Sequence, residues 1–97
     1  MQQGTTHAIE ILSKEFSLSD DAVVREGLKY FLEKKMRELK TEIYRIRGKY
    51  NISSVEELED LFKKGQVEEK DALTDFQRLD HLEFKKEEIE KLIAEVQ

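Results

Sequence analysis

Between Asp20 and Tyr50 the chain carries no proline, and apolar residues recur at Val24, Leu28, Leu32, Met36, Leu39, Ile43, Ile46 and Tyr50. Spacings of 4, 4, 4, 3, 4, 3 and 4 keep all eight on one stripe of an α-helix, because residues three and four apart share a face. A strand cannot use this pattern, since its side chains alternate with a period of two. The stretch predicts a single helix of roughly 30 residues, about 45 Å long. That exceeds the roughly 26 to 35 Å expected of a compact domain of this size. Part of the seam is therefore expected to meet a second chain, with Leu28, Leu32, Met36, Leu39, Ile43 and Ile46 as the interface of a homodimer.

The remaining punctuation is equally sparse. Proline is absent from the whole chain, and glycine occurs only at Gly4, Gly27, Gly48 and Gly65, which favours long helices. A short first helix over residues 5–16 places Ala8, Leu12 and Phe16 on one face, with Ile9 and Ile11 alongside. Ser17 to Ser19 form a joint, where Ser19 can cap the next helix and Asp20 and Asp21 complement its positive end. Asn51 suits the left-handed conformation that ends a helix, with Gly48 as a competing stop. Ser53 with Glu56, and Ser54 with Glu57, each offer a capping box for a third helix over Val55 to Lys64, which Gly65 would end.

Residues 66–74 read as a polar connection, and Thr74 with Gln77 suggests the start of a fourth helix. Its seam is Leu79, Leu82, Lys86, Ile89, Ile93 and Val96, preceded by Phe76. Lys86 interrupts that seam, and its stem can pack while its ammonium reaches water. Two long seams joined by a short helix bury each other most simply as an antiparallel hairpin. The expected fold is all-α, a long helical hairpin with short N-terminal and connecting helices, associating as a helical-bundle homodimer. Residues 1–97 read as one helical domain with residues 1–4 disordered.

The sequence carries no recognisable catalytic or metal-binding pattern. The chain has no cysteine, so disulfides, thiolate nucleophiles and zinc-finger ligand sets are excluded. His7 and His81 are far apart, and Gln77 and Lys85, one turn to either side of His81, are not useful metal partners. Carboxylates are abundant, but catalysis needs separated pKa values in a desolvated pocket, and these runs read as solvated helix faces. The serines sit at helix starts, the glycines are too scattered to cradle phosphate, and the Arg and His spacing of small helical HEPN-type ribonucleases is missing. No enzymatic activity, cofactor or metal is expected. No apolar run approaches the roughly 18 residues needed to span a bilayer, and the first residues carry no basic segment followed by an apolar one. A cytoplasmic protein is expected.

Charge is unevenly distributed. Residues 1–50 hold 10 basic and 8 acidic residues, a balance of +2, and residues 51–97 hold 7 basic and 14 acidic, a balance of −7. Glu56, Glu57, Glu59 and Asp60, with Glu68, Glu69 and Asp71 behind them, would steer a basic protein. Phe62, Phe76 and Phe84 lie between and after them and could anchor it. The opposing reading makes these aromatics core and pairs the acids with the basic stretch Lys34 to Lys49. Nucleic acid is a weaker candidate. The segment Ala8 to Leu28 resembles a helix-turn-helix, but Asp20 and Asp21 open the would-be recognition helix where phosphates would lie. A DNA-binding regulator and a purely structural coiled-coil homodimer are the alternatives.

Several segments carry a resemblance: Arg25-Glu26-Gly27-Leu28 with Phe31-Leu32-Glu33, Gly48 through Glu57, Gly65, and Asp75-Phe76-Gln77-Arg78-Leu79-Asp80-His81-Leu82. Over residues 25–82 the chain resembles a group of small uncharacterised archaeal helical proteins that look like the antitoxin partners of toxin–antitoxin pairs. The resemblance implies a toxin-like basic partner gripped by the C-terminal part. It also implies an N-terminal DNA-binding part, and there the chain departs from the pattern, with neither a ribbon-helix-helix strand nor a basic recognition helix.

Overall fold

A computed structural model describes residues 3–97, with the backbone alone for Glu69. It contains four helices, α1 (Gln3–Phe16), α2 (Asp20–Tyr50), α3 (Val55–Lys63) and α4 (Glu69–Val96), and no strand among the described residues. The all-helical expectation holds, and α2 runs for 31 residues as its seam predicts.

The boundaries follow from local chemistry. Ser19 caps α2 by accepting a hydrogen bond from the Ala22 amide at 3.0 Å. Gly48 lies inside the helix, which ends where Asn51 turns left-handed at φ 53° and the Ile52 amide reaches back to the Arg47 carbonyl at 3.0 Å. Ser54 caps α3 through the Glu57 amide, and the Glu57 carboxylate accepts from the Ser53 amide at 2.7 Å, a variant of the expected capping box. Gly65, at φ +67°, closes α3 as expected.

Two elements differ from their expected limits. Helix α4 starts at Glu69, so the end of the supposed polar connection is helical. The cause is tertiary: Ala72 is fully buried, which draws the first turn inward, and Thr74 bonds back to the Lys70 carbonyl inside the helix. The first helix begins at Gln3, so Gln3 and Gly4 are helical, while Met1 and Gln2, the rest of the segment expected to be disordered, lie outside the described residues.

Helices α2 and α4 pack as an antiparallel hairpin. Asp75 sits beside Lys49 and Tyr50, and at the other end Lys35 and Leu39 share a groove with Lys85 and Ile89. Helix α3 plugs the closed end. The core there is Ile43, Ile46, Leu58, Leu79 and Leu82, flanked by Leu39, Tyr50, Ile52, Val55 and Phe76. Lys86 is half-buried, and its ammonium lies 4.0 Å from Glu90, as the snorkelling argument requires.

The molecule measures 61 × 23 × 17 Å, and its radius of gyration is 19.6 Å. A compact domain of this length would have about 13 Å. The excess comes from α1 and the start of α2, which project past the hairpin core as an arm in which α1 has no buried residue.

Candidate functional site

Helix α3 is anchored chiefly by Leu58, with Val55 beside it. Leu58 is completely buried against Leu79 and Leu82, which fixes the orientation of a helix only nine residues long. With that face committed, the others border three separate hollows, and the acidic and aromatic residues expected to form one surface are divided among them.

The largest hollow is a cleft of about 510 Å³ between the start of α3 and the middle of α4. Glu56, Asp80, Glu83 and Glu87 line it with Phe84, a residue that is 59% exposed, and with His81 and Arg47. Arg47 pairs with Glu83, and its Nε is buried with no hydrogen-bond partner among the described residues. Glu56, Asp80 and Glu87 have no ion-pair partner among the described residues. The cleft therefore holds three uncompensated carboxylates beside an exposed aromatic ring.

A smaller slot of about 190 Å³ lies further along the same side of α3, where Phe62, Leu73 and Phe76 make a mostly apolar pocket edged by Glu59 and Lys63. Here Glu59, Phe62 and Phe76 do come together, and Glu59 pairs with Lys63 at 3.0 Å. Glu57 and Asp60 border a third, shallow hollow with Tyr50 and Lys64. Since Glu57 is engaged in the α3 cap, its role is structural.

Polar contacts between α2 and α4 fix the walls. Arg78 grips Glu42 through two hydrogen bonds of 2.8 and 2.9 Å, and this guanidinium holds the Glu42 carboxyl below its ordinary pKa against the opposing effect of burial. Asp75 accepts hydrogen bonds from Lys49, at 2.7 Å, and from the Tyr50 hydroxyl. Burial pushes the Asp75 carboxyl up, but those two donors and the Lys49 and Arg45 charges outweigh it, so the net direction is down. Burial is also the main cause that raises the Tyr50 hydroxyl.

The basic stretch Lys34 to Lys49 does reach acids of the C-terminal half, but Arg47 takes Glu83 and Lys49 takes Asp75. Neither touches the α3 acids, which leaves Glu56 and Asp60 exposed and without such a pairing.

The whole chain, residues 1–97, matches the Uncharacterized protein MJ0235 family. The chain belongs to that family. A protein of Methanocaldococcus jannaschii described as Uncharacterized protein MJ0235 is 30% identical over 74 residues, covering 76% of this chain and 89% of the relative. No solved structure matches.

Most of the residues expected at a dimer interface are covered within the single chain. Leu32, Met36, Ile43 and Ile46 are buried within the single chain, and Leu39 is half-buried against its core, so α4 already occupies most of that seam. Leu28 alone of the six is well exposed. Sequence reasoning missed Asp80, Glu83 and Glu87 as a unit with Glu56. The signal was present: 80, 83 or 84, and 87 are spaced as one helical stripe, a quarter-turn from the Leu79 and Leu82 seam. No group of three or more His, Cys, Asp and Glu side chains that could hold a metal ion occurs among the described residues, and no described helix is long and apolar enough to cross a membrane.

Proposed function

We propose that this family member is a non-enzymatic interaction protein that binds a basic protein partner, in the manner of an antitoxin, through the cleft between α3 and α4. The observation that carries this reading is the cleft itself. Three acidic residues without ion-pair partners line the same cleft as an exposed phenylalanine, and a basic side chain entering there would find charge neutralisation and an aromatic face together. The apolar slot of Phe62, Leu73 and Phe76 further along α3 gives a second anchor point for an extended partner segment.

A protein partner is favoured over DNA by the sign of the surface. The α1 to α2 corner opens with Asp20 and Asp21, and the C-terminal half carries −7, so phosphate would be repelled at both places. DNA binding, where it occurs, should be weak and vanish by about 0.2 M salt.

The test is affinity capture of the full chain from its native host, followed by kinetics with whatever is recovered. A single stoichiometric basic protein is expected. The triple variant Glu56→Gln, Asp80→Asn, Glu87→Gln should slow its association about tenfold and flatten the salt dependence without loss of helicity. Recovery of the chain alone, or an association rate indifferent to both salt and the triple variant, would defeat the reading.

A further inference from the structure

The start of α2 carries an apolar patch that the chain leaves largely open, with only the Lys35 ammonium over the Phe31 ring at 5.4 Å. Val24, Leu28 and Phe31 are 44%, 44% and 53% exposed, and with Gly27 they occupy helix positions three and four apart, so all four share a face. Gly27 is the informative member. A glycine inside a helix costs about 1 kcal/mol relative to alanine. Yet a Cβ built there meets no atom within 4 Å, as at Gly48 later in the same helix, so no contact within the chain requires its absence.

The charges around the stripe are arranged symmetrically. Taking the midpoint between Gly27 and Leu28 as a centre, Asp20 and Asp21 lie as far toward the N-terminus as Lys35 and Lys34 lie toward the C-terminus, and Val24 mirrors Phe31 in the same way. A two-fold contact requires this kind of matching, because residue i of one copy meets residue j of the other and the reverse. An unrelated partner would not require it.

From these observations we infer that two copies of the chain pair through an antiparallel crossing of α2 centred on Gly27 and Leu28. Leu28 of one copy sits over Gly27 of its partner, where the missing Cβ permits close approach, and Val24 packs on the partner's Phe31. At either end Asp20 and Asp21 meet the partner's Lys34 and Lys35. Asp20 already accepts from Ser13, Asp21 pairs with Arg25 at 3.6 Å, and Lys35 gives to Glu38, but a carboxylate has further lone pairs and an ammonium further protons, so all three retain capacity.

Ile11, Leu12, Phe16 and Leu18 are exposed on the same arm, and with the patch the apolar surface on offer comes to roughly 600 Å² per copy. Covered in full, two such arms reach the lower limit of the roughly 1,200 to 2,000 Å² that specific interfaces bury. The dimer also gives the arm, which projects from the core, the second layer it lacks.

The experiment is light scattering on the full chain from low to high micromolar concentration, with circular dichroism as the check on folding. The wild type is expected at twice 11.5 kDa. Leu28→Asp, at an exposed position, should weaken association at least ~100-fold with helicity intact, because the change enters the interface twice. Gly27→Gln should weaken it about tenfold while leaving α2 as helical as before. The decisive pair is Asp20→Lys with Asp21→Lys in one chain, and Lys34→Glu with Lys35→Glu in another. Each alone places like charges at both ends and should be monomeric, and an equimolar mixture should form a heterodimer with affinity within a few-fold of the wild type. An 11.5 kDa species at every concentration would overturn the inference. A dimer that survives Leu28→Asp would do so too, as would a mixture that stays monomeric.

Discussion

The closed end of the hairpin and the N-terminal arm are built from the same material and reach opposite outcomes. Ile43, Ile46, Leu58, Leu79 and Leu82 are almost wholly buried. Ile11, Leu12, Phe16, Val24, Leu28 and Phe31 repeat at the same helical spacings, yet each stays more than two-fifths exposed. Periodicity tells that a side chain is meant for burial. It does not tell whether the covering surface belongs to the same chain, and here α4 covers one group and leaves the other exposed.

The sharpest way to break this contrast is to truncate side chains in each region. Leu58→Ala or Leu79→Ala should cost about 2 to 5 kcal/mol, since each leaves a cavity in a packed core. Ile43→Asp should prevent folding, because its carboxylate would be buried without a partner. Phe16→Ala or Leu12→Ala should cost under about 0.5 kcal/mol in chain dilute enough to be monomeric. Urea denaturation read by circular dichroism makes the comparison, and equal costs in the two regions would abolish it.

Acid should act on the hairpin end. The Asp75 and Glu42 carboxyls titrate below their ordinary values in the folded chain. A depressed folded pKa gives stability that is complete above the unfolded value and is lost as pH falls through the folded one, so this contribution is present at neutral pH and disappears below about pH 4. Asp75→Asn should therefore lower stability at neutral pH and lose less than the wild type on going from about pH 5 to about pH 3. Tyr50→Phe removes one donor to the same carboxylate and should cost about 1 kcal/mol at neutral pH. Denaturant midpoints at the two pH values decide, and parallel losses in Asp75→Asn and wild type would remove Asp75 from the account.

A backbone change of similar size tests the join between α3 and α4. Gly65 has φ +67°, and space for a Cβ is open there, so Gly65→Ala should cost about 1 kcal/mol through conformation alone. No loss in the melting midpoint would mean that this turn relaxes freely.

How much of this was legible follows the same division. The length of α2 could be read because eight apolar positions hold one register, and Asn51, Ser54 and Gly65 marked real boundaries because capping is local chemistry. The start of α4 could not be read, since burial of Ala72 is decided by a distant part of the chain. Nor could the occupant of the α2 seam, for Leu32 and Met36 look in sequence just like Leu28. At the candidate site, the density of acids was visible, but the cleft joins Glu56 to Asp80 and Glu87 across a packing contact that only the fold supplies. Phe84 was singled out for its apolar ring, and its exposure beside those acids is a property of the packing.

The smallest expected effect distinguishes the two regions most finely. Ser17 holds a left-handed conformation at φ 54°, where an L residue with a Cβ is strained by roughly 1 to 2 kcal/mol, and the Leu18 amide bonds back to the Ser13 carbonyl at 3.0 Å to close α1. Ser17→Gly removes that strain but adds freedom to the unfolded chain, so the net local gain should be at most about 1 kcal/mol. If the arm opens independently of the hairpin core, this gain cannot reach the global transition. The urea midpoint of the monomeric chain should then stay unchanged within about 0.3 kcal/mol, while amide hydrogen exchange across α1 slows by up to about fivefold. A midpoint that rises together with α1 protection would place the arm in the same cooperative unit as Leu58 and Leu79, and the contrast between the two ends would be one of exposure only.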